Sequence, residues 1–125
     1  MSKVVHIALK VEDLDKATKF YEDVFGFTQV STGYANGHHS RHMTDGTMFF
    51  TLMKYDSEES PEATLAGRGA CIHHYGVEVD DRAGMTERIK AAGGEILSKP
   101  DARAVKYRAP DGTIGELTVA GTFGG

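Results

Sequence analysis

One cysteine stands in this chain of 125 residues, so no intrachain disulfide can form. That residue, Cys71, lies between Ala70 and Ile72 and reads as a small core residue rather than a nucleophile. Long hydrophobic runs are missing. The apolar stretches last only a few residues, far short of the roughly 20 that a membrane helix needs. After Met1-Ser2-Lys3 the chain moves straight into a strand-like run with no extended apolar segment, so a cytoplasmic setting is expected. Basic clusters are missing too. The formal charge is -4 with both signs scattered, which leaves no footprint for nucleic acid. No Ser-His-Asp, phosphate-loop or dinucleotide signature occurs. What remains is a globular composition, 40% hydrophobic and 26% charged, sufficient for one domain. Histidine is the unusual ingredient: of six, five fall in two clusters, at 38, 39 and 42 and at 73 and 74.

The chain also repeats itself. His6-Ile7-Ala8-Leu9-Lys10-Val11-Glu12-Asp13 and His74-Tyr75-Gly76-Val77-Glu78-Val79-Asp80-Asp81 both run from a histidine through alternation to acids, at an offset of 74 − 6 = 68 in the numbering. Asp45-Gly46-Thr47 and Asp111-Gly112-Thr113 each precede a strand-like stretch, at an offset of 111 − 45 = 66. Two independent matches at nearly one spacing point to duplicated halves.

Each half has the same plan. Residues 4 to 11 alternate and are rich in Val, Ile and Leu, as a strand does. Asp13 suits a helix N-cap, Leu14, Ala17, Tyr21, Val24 and Phe25 recur at helical spacing, and Gly26 fits the stop. Strands are expected at about 27 to 33 and 39 to 44, joined through the Asn36-Gly37 turn signal, and near 47 to 54. The second half gives a strand at 72 to 79, a helix at about 82 to 92 ended by Gly93-Gly94, and strands near 95 to 98, 104 to 109 and 113 to 120. The domain expectation is therefore one domain, 1–125, of two repeats (about 4–55 and 70–121) with a linker at 56–69. The tail from 121 to 125 is expected to be mobile.

The order of elements, the histidine opening each half, Asp15-Lys16-Ala17 with Phe20-Tyr21, Phe25-Gly26-Phe27, and Pro110-Asp111-Gly112-Thr113-Ile114-Gly115-Glu116-Leu117 together resemble the vicinal oxygen chelate superfamily of glyoxalases, bleomycin-resistance proteins and extradiol dioxygenases. The resemblance covers nearly the whole chain. It implies an α+β fold of two βαβββ modules whose curved mixed sheets close into a cup. It also implies one divalent metal ion (Fe, Mn, Zn, Ni or Co) held by His6, His74 and Glu116, a small-molecule substrate that chelates the ion, and a homodimer with sites shared between modules. Neutral imidazole and carboxylate suit such ions, and three protein ligands leave positions open for two adjacent substrate oxygens.

Within the superfamily, glyoxalase-type lyases carry a second acid matching Glu116 in the first half. The offset of 66 puts Phe50 there and the offset of 68 puts Met48; neither is a hard ligand, and both are candidates to line the substrate site. A three-ligand, dioxygenase-like site is the leading expectation, a lactoylglutathione-lyase-like lyase or isomerase the first alternative, and a metal-free drug- or metabolite-binding protein the second. Ring-cleaving members place a Tyr where this chain has Lys106, and Tyr107, one step on, is the candidate catalytic tyrosine beside Glu116 itself. Lys106 and Arg108 share a strand face; they either favour an anionic substrate or are solvated. The run His38-His39-Ser40-Arg41-His42 reads as a solvated loop edge; the alternative is a strand with His38 and His42 on one face as proton donors near the metal. His73 is expected to point away from His74.

Overall fold

The structure, a computed structural model, describes residues 2–99, 102 and 104–120. The stretch 121–125, expected to be mobile, lies outside the described residues. The chain forms two compact units: residues 6–73, and the residues up to Val5 together with those from His74 onward.

In the first unit, β1 (Lys3–Lys10, entering at His6) leads to α1 (Leu14–Phe25), β2 (Thr28–Ala35), β3 (His38–Thr44) and β4 (Phe49–Tyr55). The strand order is β2-β3-β4-β1; β1 pairs parallel with β4, and the other pairs are antiparallel. Local chemistry sets these boundaries. Asp13 caps α1 by accepting the Lys16 amide at 3.0 Å. Gly26, at φ 72°, ends it by turning left-handed and donating its N–H to the Glu22 carbonyl. Asn36 and Gly37 both take positive φ, as a tight hairpin requires.

Strand alternation then sorts the side chains. Phe50 turns toward α1, with ring centroids 4.8 Å from Tyr21 and 5.3 Å from Phe27. On the opposite face Ala8, Met53, Tyr55 and Ala63 form a buried cluster. Ala63 belongs to the stretch read as a linker, and that stretch is fastened within this unit. The buried Lys10 ammonium donates to Glu58 at 3.0 Å and to the carbonyls of Ala63 (2.6 Å) and Gly67 (2.9 Å). The Gly69 amide closes the loop on Glu58 at 2.6 Å. A buried ammonium demands this many acceptors.

The second unit repeats the order: β5 (Cys71–Glu78, entering at His74), α2 (Arg82–Ala91), β6 (Glu95–Ile96), β7 (Val105–Arg108) and β8 (Ile114–Thr118). Its strands run β5-β8-β7-β6, with β5 parallel to β8 and the rest antiparallel. Asp81 caps α2 through the Gly84 amide at 2.9 Å, and its offset from Asp13 is that of His74 from His6. Val79, Val105, Tyr107 and Leu117 form the core on the helix side, with Met85 and Ile89 of α2 against them. The α+β class and the twofold βαβββ plan are thus present. β6 is shorter than expected, two residues rather than four. Among the described residues no helix is long and apolar enough to cross a membrane.

Candidate functional site

The register of the second unit builds one polar face. β5 pairs with β8 so that Gly76 lies beside Glu116, and β7 pairs with β8 so that Lys106 does too. His74, two residues before Gly76, shares that face. The His74 Nε2 and Glu116 Oε2 atoms are 3.6 Å apart, and both residues are almost completely buried. That separation is long for a hydrogen bond and close to the roughly 3.0–3.4 Å between two ligands of one metal ion. The Lys106 ammonium lies 3.0 Å from the same carboxylate oxygen. A buried carboxylate needs a cation nearby, and Lys106 provides one.

The first unit repeats the layout with different chemistry. β1 pairs with β4 so that His6 lies beside Phe49 and Ala8 beside Thr51; β3 pairs with β4 so that His42 lies beside Thr51. Thr51 therefore stands to His6 as Glu116 stands to His74, and His42 corresponds to Lys106. His6 is buried, and His42 Nδ1 is 3.1 Å from Thr51 Oγ1. This corrects the expected counterparts of Glu116. The DGT turns are offset by 111 − 45 = 66, but the paired strands by 116 − 51 = 65. The first turn places one more residue between its DGT tripeptide and its strand: the Asp45 carboxylate accepts the amides of both Thr47 (2.8 Å) and Met48 (2.7 Å). Met48 therefore belongs to the turn, and Phe50 to the face under α1. Neither stands in the row of His6 and Thr51.

The remaining candidates fall as follows. The run from His38 to His42 is β3 itself rather than a loop edge. Ser40 is buried, His38 and His42 are half-buried on its face, and only His39, on the other face, is exposed. His38 stacks edge-on against Tyr55 and lies 3.8 Å from Glu62, which also accepts the Tyr55 hydroxyl at 2.7 Å. His73 turns away from His74's face, with its Nε2 2.7 Å from the Glu62 carbonyl. Arg108 is half-buried, donates to the Gly112 carbonyl at 3.3 Å and lies 3.9 Å from Glu95. Cys71 is half-buried, not core, and lines a helix-side cleft with Leu9, Ala17, Phe20 and Ile72.

Tyr107 is the clearest correction. One step from Lys106, it faces the helix-side core, where its hydroxyl meets that of Tyr75 at 2.8 Å. Burial, and then the Tyr75 hydrogen bond, push its pKa well above the ordinary tyrosine value, so the phenol stays protonated. It shares no face with Glu116. Two features escaped the sequence: Thr51 with its imidazole partner, and the bond from Lys106 to Glu116. The signal for both was strand pairing, and for Thr51 the turn tripeptides misplace it by one residue.

Comparison with known proteins gives the family and the fold. Residues 3–113 match the family model of the Glyoxalase/Bleomycin resistance protein/Dioxygenase superfamily. A lactoylglutathione lyase of Neisseria meningitidis is 28% identical over 108 residues, covering 76% of this chain and 70% of that protein. A chloroplastic protein of Arabidopsis thaliana, named a probable lactoylglutathione lyase, is 27% identical over 111 residues. The match takes in 78% of this chain, which spans only 28% of the Arabidopsis protein. A solved structure of Streptomyces coelicolor methylmalonyl-CoA epimerase, in complex with 2-nitronate-propionyl-CoA, superposes with a TM-score of 0.79 at 23% identity. It covers 94% of this chain and 97% of that one, a likeness of fold.

Proposed function

Because the chain belongs to the glyoxalase/bleomycin resistance protein/dioxygenase superfamily, we propose that it is a metal-dependent enzyme acting on a small substrate bound through two vicinal oxygens. In this reading His6, His74 and Glu116 hold one divalent ion. All three are buried and each offers one ligand atom. The observation that carries the reading is the buried His74–Glu116 pair, set at ligand spacing, with a histidine at the matching place of the other half. The donor set, two imidazoles and a carboxylate, fits Fe, Mn, Zn, Ni or Co.

When bound, the ion would act as a Lewis acid on the substrate oxygens. The chain's own residues would do the rest. Glu116 would both ligate and receive a proton from the carbon beside the polarised oxygen. Lys106 would keep that carboxylate in place and favour an anionic substrate. This is lyase, isomerase or epimerase chemistry, and it displaces ring cleavage as the leading expectation for two reasons. Tyr107 is turned into the core, and relatives similar to this chain are named lactoylglutathione lyases. One observation keeps a dioxygenase-like reading alongside it: the position matching Glu116 holds a threonine, so the protein supplies three donors rather than four. A cytoplasmic homodimer is part of the proposal, checked by light scattering at twice the chain mass.

The test is elemental analysis of untagged protein loaded with each metal, repeated on His74→Ala. We expect one ion per chain in the wild type and a loss of at least about tenfold in affinity in the variant. Turnover of the methylglyoxal–glutathione adduct with Ni, Zn or Co supports the lyase; oxygen uptake on catechols with Fe supports the dioxygenase. A wild-type chain that retains none of the metals would sink the proposal and leave a metal-free binding protein.

A further inference from the structure

The helix side of the second unit holds a cleft of about 370 Å³, within the size range of small-molecule sites. Val105 and Ile96, which line it, belong to the helix-side core, so the cleft lies on the face away from Lys106 and Glu116. On its other side are Arg82, Thr86 and Lys90, spaced four residues apart along one stripe of α2. The stripe runs for roughly 12 Å. Its middle is apolar. Ala83 and Val119 line it, and the Thr86 hydroxyl donates back to the Arg82 carbonyl at 2.7 Å, which leaves the methyl group to the cleft. Charge is uneven along the length. Among the described lining residues Arg82, Lys90 and Lys99 are basic and Glu87 is acidic, and Glu87 lies 3.0 Å from Lys90. The net positive charge therefore falls at the other end. Lys99 is brought there by strand register: Ile96 pairs with Tyr107 and Ser98 accepts the Lys106 amide, so Lys99 comes level with Val105. Val105 pairs with Leu117, next to Thr118, whose carbonyl accepts the Val79 amide just before the Asp81 cap of α2.

We infer that this cleft binds an amphipathic monoanion, a medium-chain carboxylate whose head meets Lys99 and Arg82 and whose tail runs over Val119, Val105 and Ile96. Covering that apolar surface supplies the affinity, and the two cations choose the sign of the head. The length of the stripe matches an extended chain of the size of decanoate. At the far end the Lys90–Glu87 pair is close to neutral, so a second carboxylate on the tail would gain nothing there. The site is independent of the metal reading, because the residues that line it lie off the face of His74 and Glu116.

Decanoate titrated into the full chain, below the concentration at which it forms micelles, tests this by calorimetry and by amide chemical shifts. One molecule per chain should bind with a Kd below about 1 mM. The shifts should centre on α2 and on the neighbourhood of Ile96, Lys99 and Val105. Decylamine, which keeps the tail and reverses the charge, and acetate, which keeps the head alone, should each bind at least about tenfold more weakly. Lys99→Glu, at an exposed position, should weaken decanoate by at least about threefold. Ala83→Phe, also exposed, should block it by filling the cleft. Decylamine binding as tightly as decanoate would overturn the charge argument. Acetate doing so would reduce the site to surface ion pairing, and N-acetylleucinate doing so would assign the cleft to a peptide carboxyl end; either result overturns the proposal. So would the absence of saturable binding, or shifts centred on the cleft beside Phe20 and Ile72 or on Glu116. These comparisons on the wild type need no variant.

Discussion

Replacing Gly115 by alanine tests whether the two faces of β8 are sorted as described. Gly115 pairs with Tyr107 across β7 and β8, and the tyrosine ring lies flat over it. A Cβ at position 115 would fall within van der Waals radii of the Tyr107 Oη and Cζ atoms, with Cε1 at 2.8 Å. The ring cannot swing away freely. It is buried with Val79, Val105 and Leu117, and its hydroxyl is bonded to Tyr75 at 2.8 Å. Overpacking of this kind costs about 1–3 kcal/mol. Loss of the buried hydrogen bond adds about 1 kcal/mol. We expect Gly115→Ala to lose roughly 2–4 kcal/mol, a fall in Tm on the order of 5–15 °C. Urea and thermal unfolding followed by circular dichroism give both quantities. The double variant Gly115→Ala, Tyr107→Leu should lose less than the sum of the two singles, because the smaller side chain vacates the space the methyl needs. A Gly115→Ala protein as stable as the wild type, or strictly additive variants, would show that Tyr107 is not packed over Gly115. The sorting of Tyr107 away from Glu116 would then be in error.

Other perturbations read other parts of the molecule. Lys10→Met removes the ammonium that ties Glu58, Ala63 and Gly67 together; it should destabilise the protein by roughly 2–3 kcal/mol and open residues 57–69 to limited proteolysis. Asp45 is held below the usual carboxylate pKa first by the Met48 amide and then by Thr47, and Asp111 by the Thr113 amide. Their contribution to stability is complete above the ordinary value of 3.8 and is lost as pH falls through the lower folded value. Urea midpoints measured from pH 7 down past 3.8 should therefore fall at the acid end, and Asp45→Asn should fall less. Tyr107→Phe should leave the pH profile of any turnover unchanged, because the phenol is protonated throughout and lies off the polar face; an altered profile would return Tyr107 to the chemistry.

The backbone plan was legible because its signals are local. Asp13 and Asp81 cap their helices through bonds three residues away, and Asn36-Gly37 turns on its own φ angles. Such features need no knowledge of remote neighbours, and the two caps are spaced along the chain as the two histidines are. Burial was harder to read. The stretch 56–69 read simply as a linker between halves, yet Ala63 within it is fully buried, and its carbonyl accepts from Lys10, far earlier in the chain. The histidines of β3 looked like a loop edge for a related reason: a polar run on a strand is solvated or buried according to what packs on it.

The site residues required a different kind of information, and one residue decided it. Whether position 50 or 51 corresponds to Glu116 cannot be read from the turn, because the two turns accommodate different numbers of residues before pairing resumes. In a strand a slip of one exchanges the faces entirely. Aligned by the turn, the counterpart of Glu116 is a phenylalanine, and the half-site has no chemistry at all. Aligned by pairing, it is a hydroxyl on an imidazole, occupying the same place beside its histidine that the carboxylate occupies beside the other. The same slip, on β7, exchanges Tyr107 for Lys106. The two errors have different origins, a turn alignment for position 50 and a family position one step away for Tyr107, yet strand register corrects both, and the register alone shows that the halves share a plan whose polar faces differ in charge.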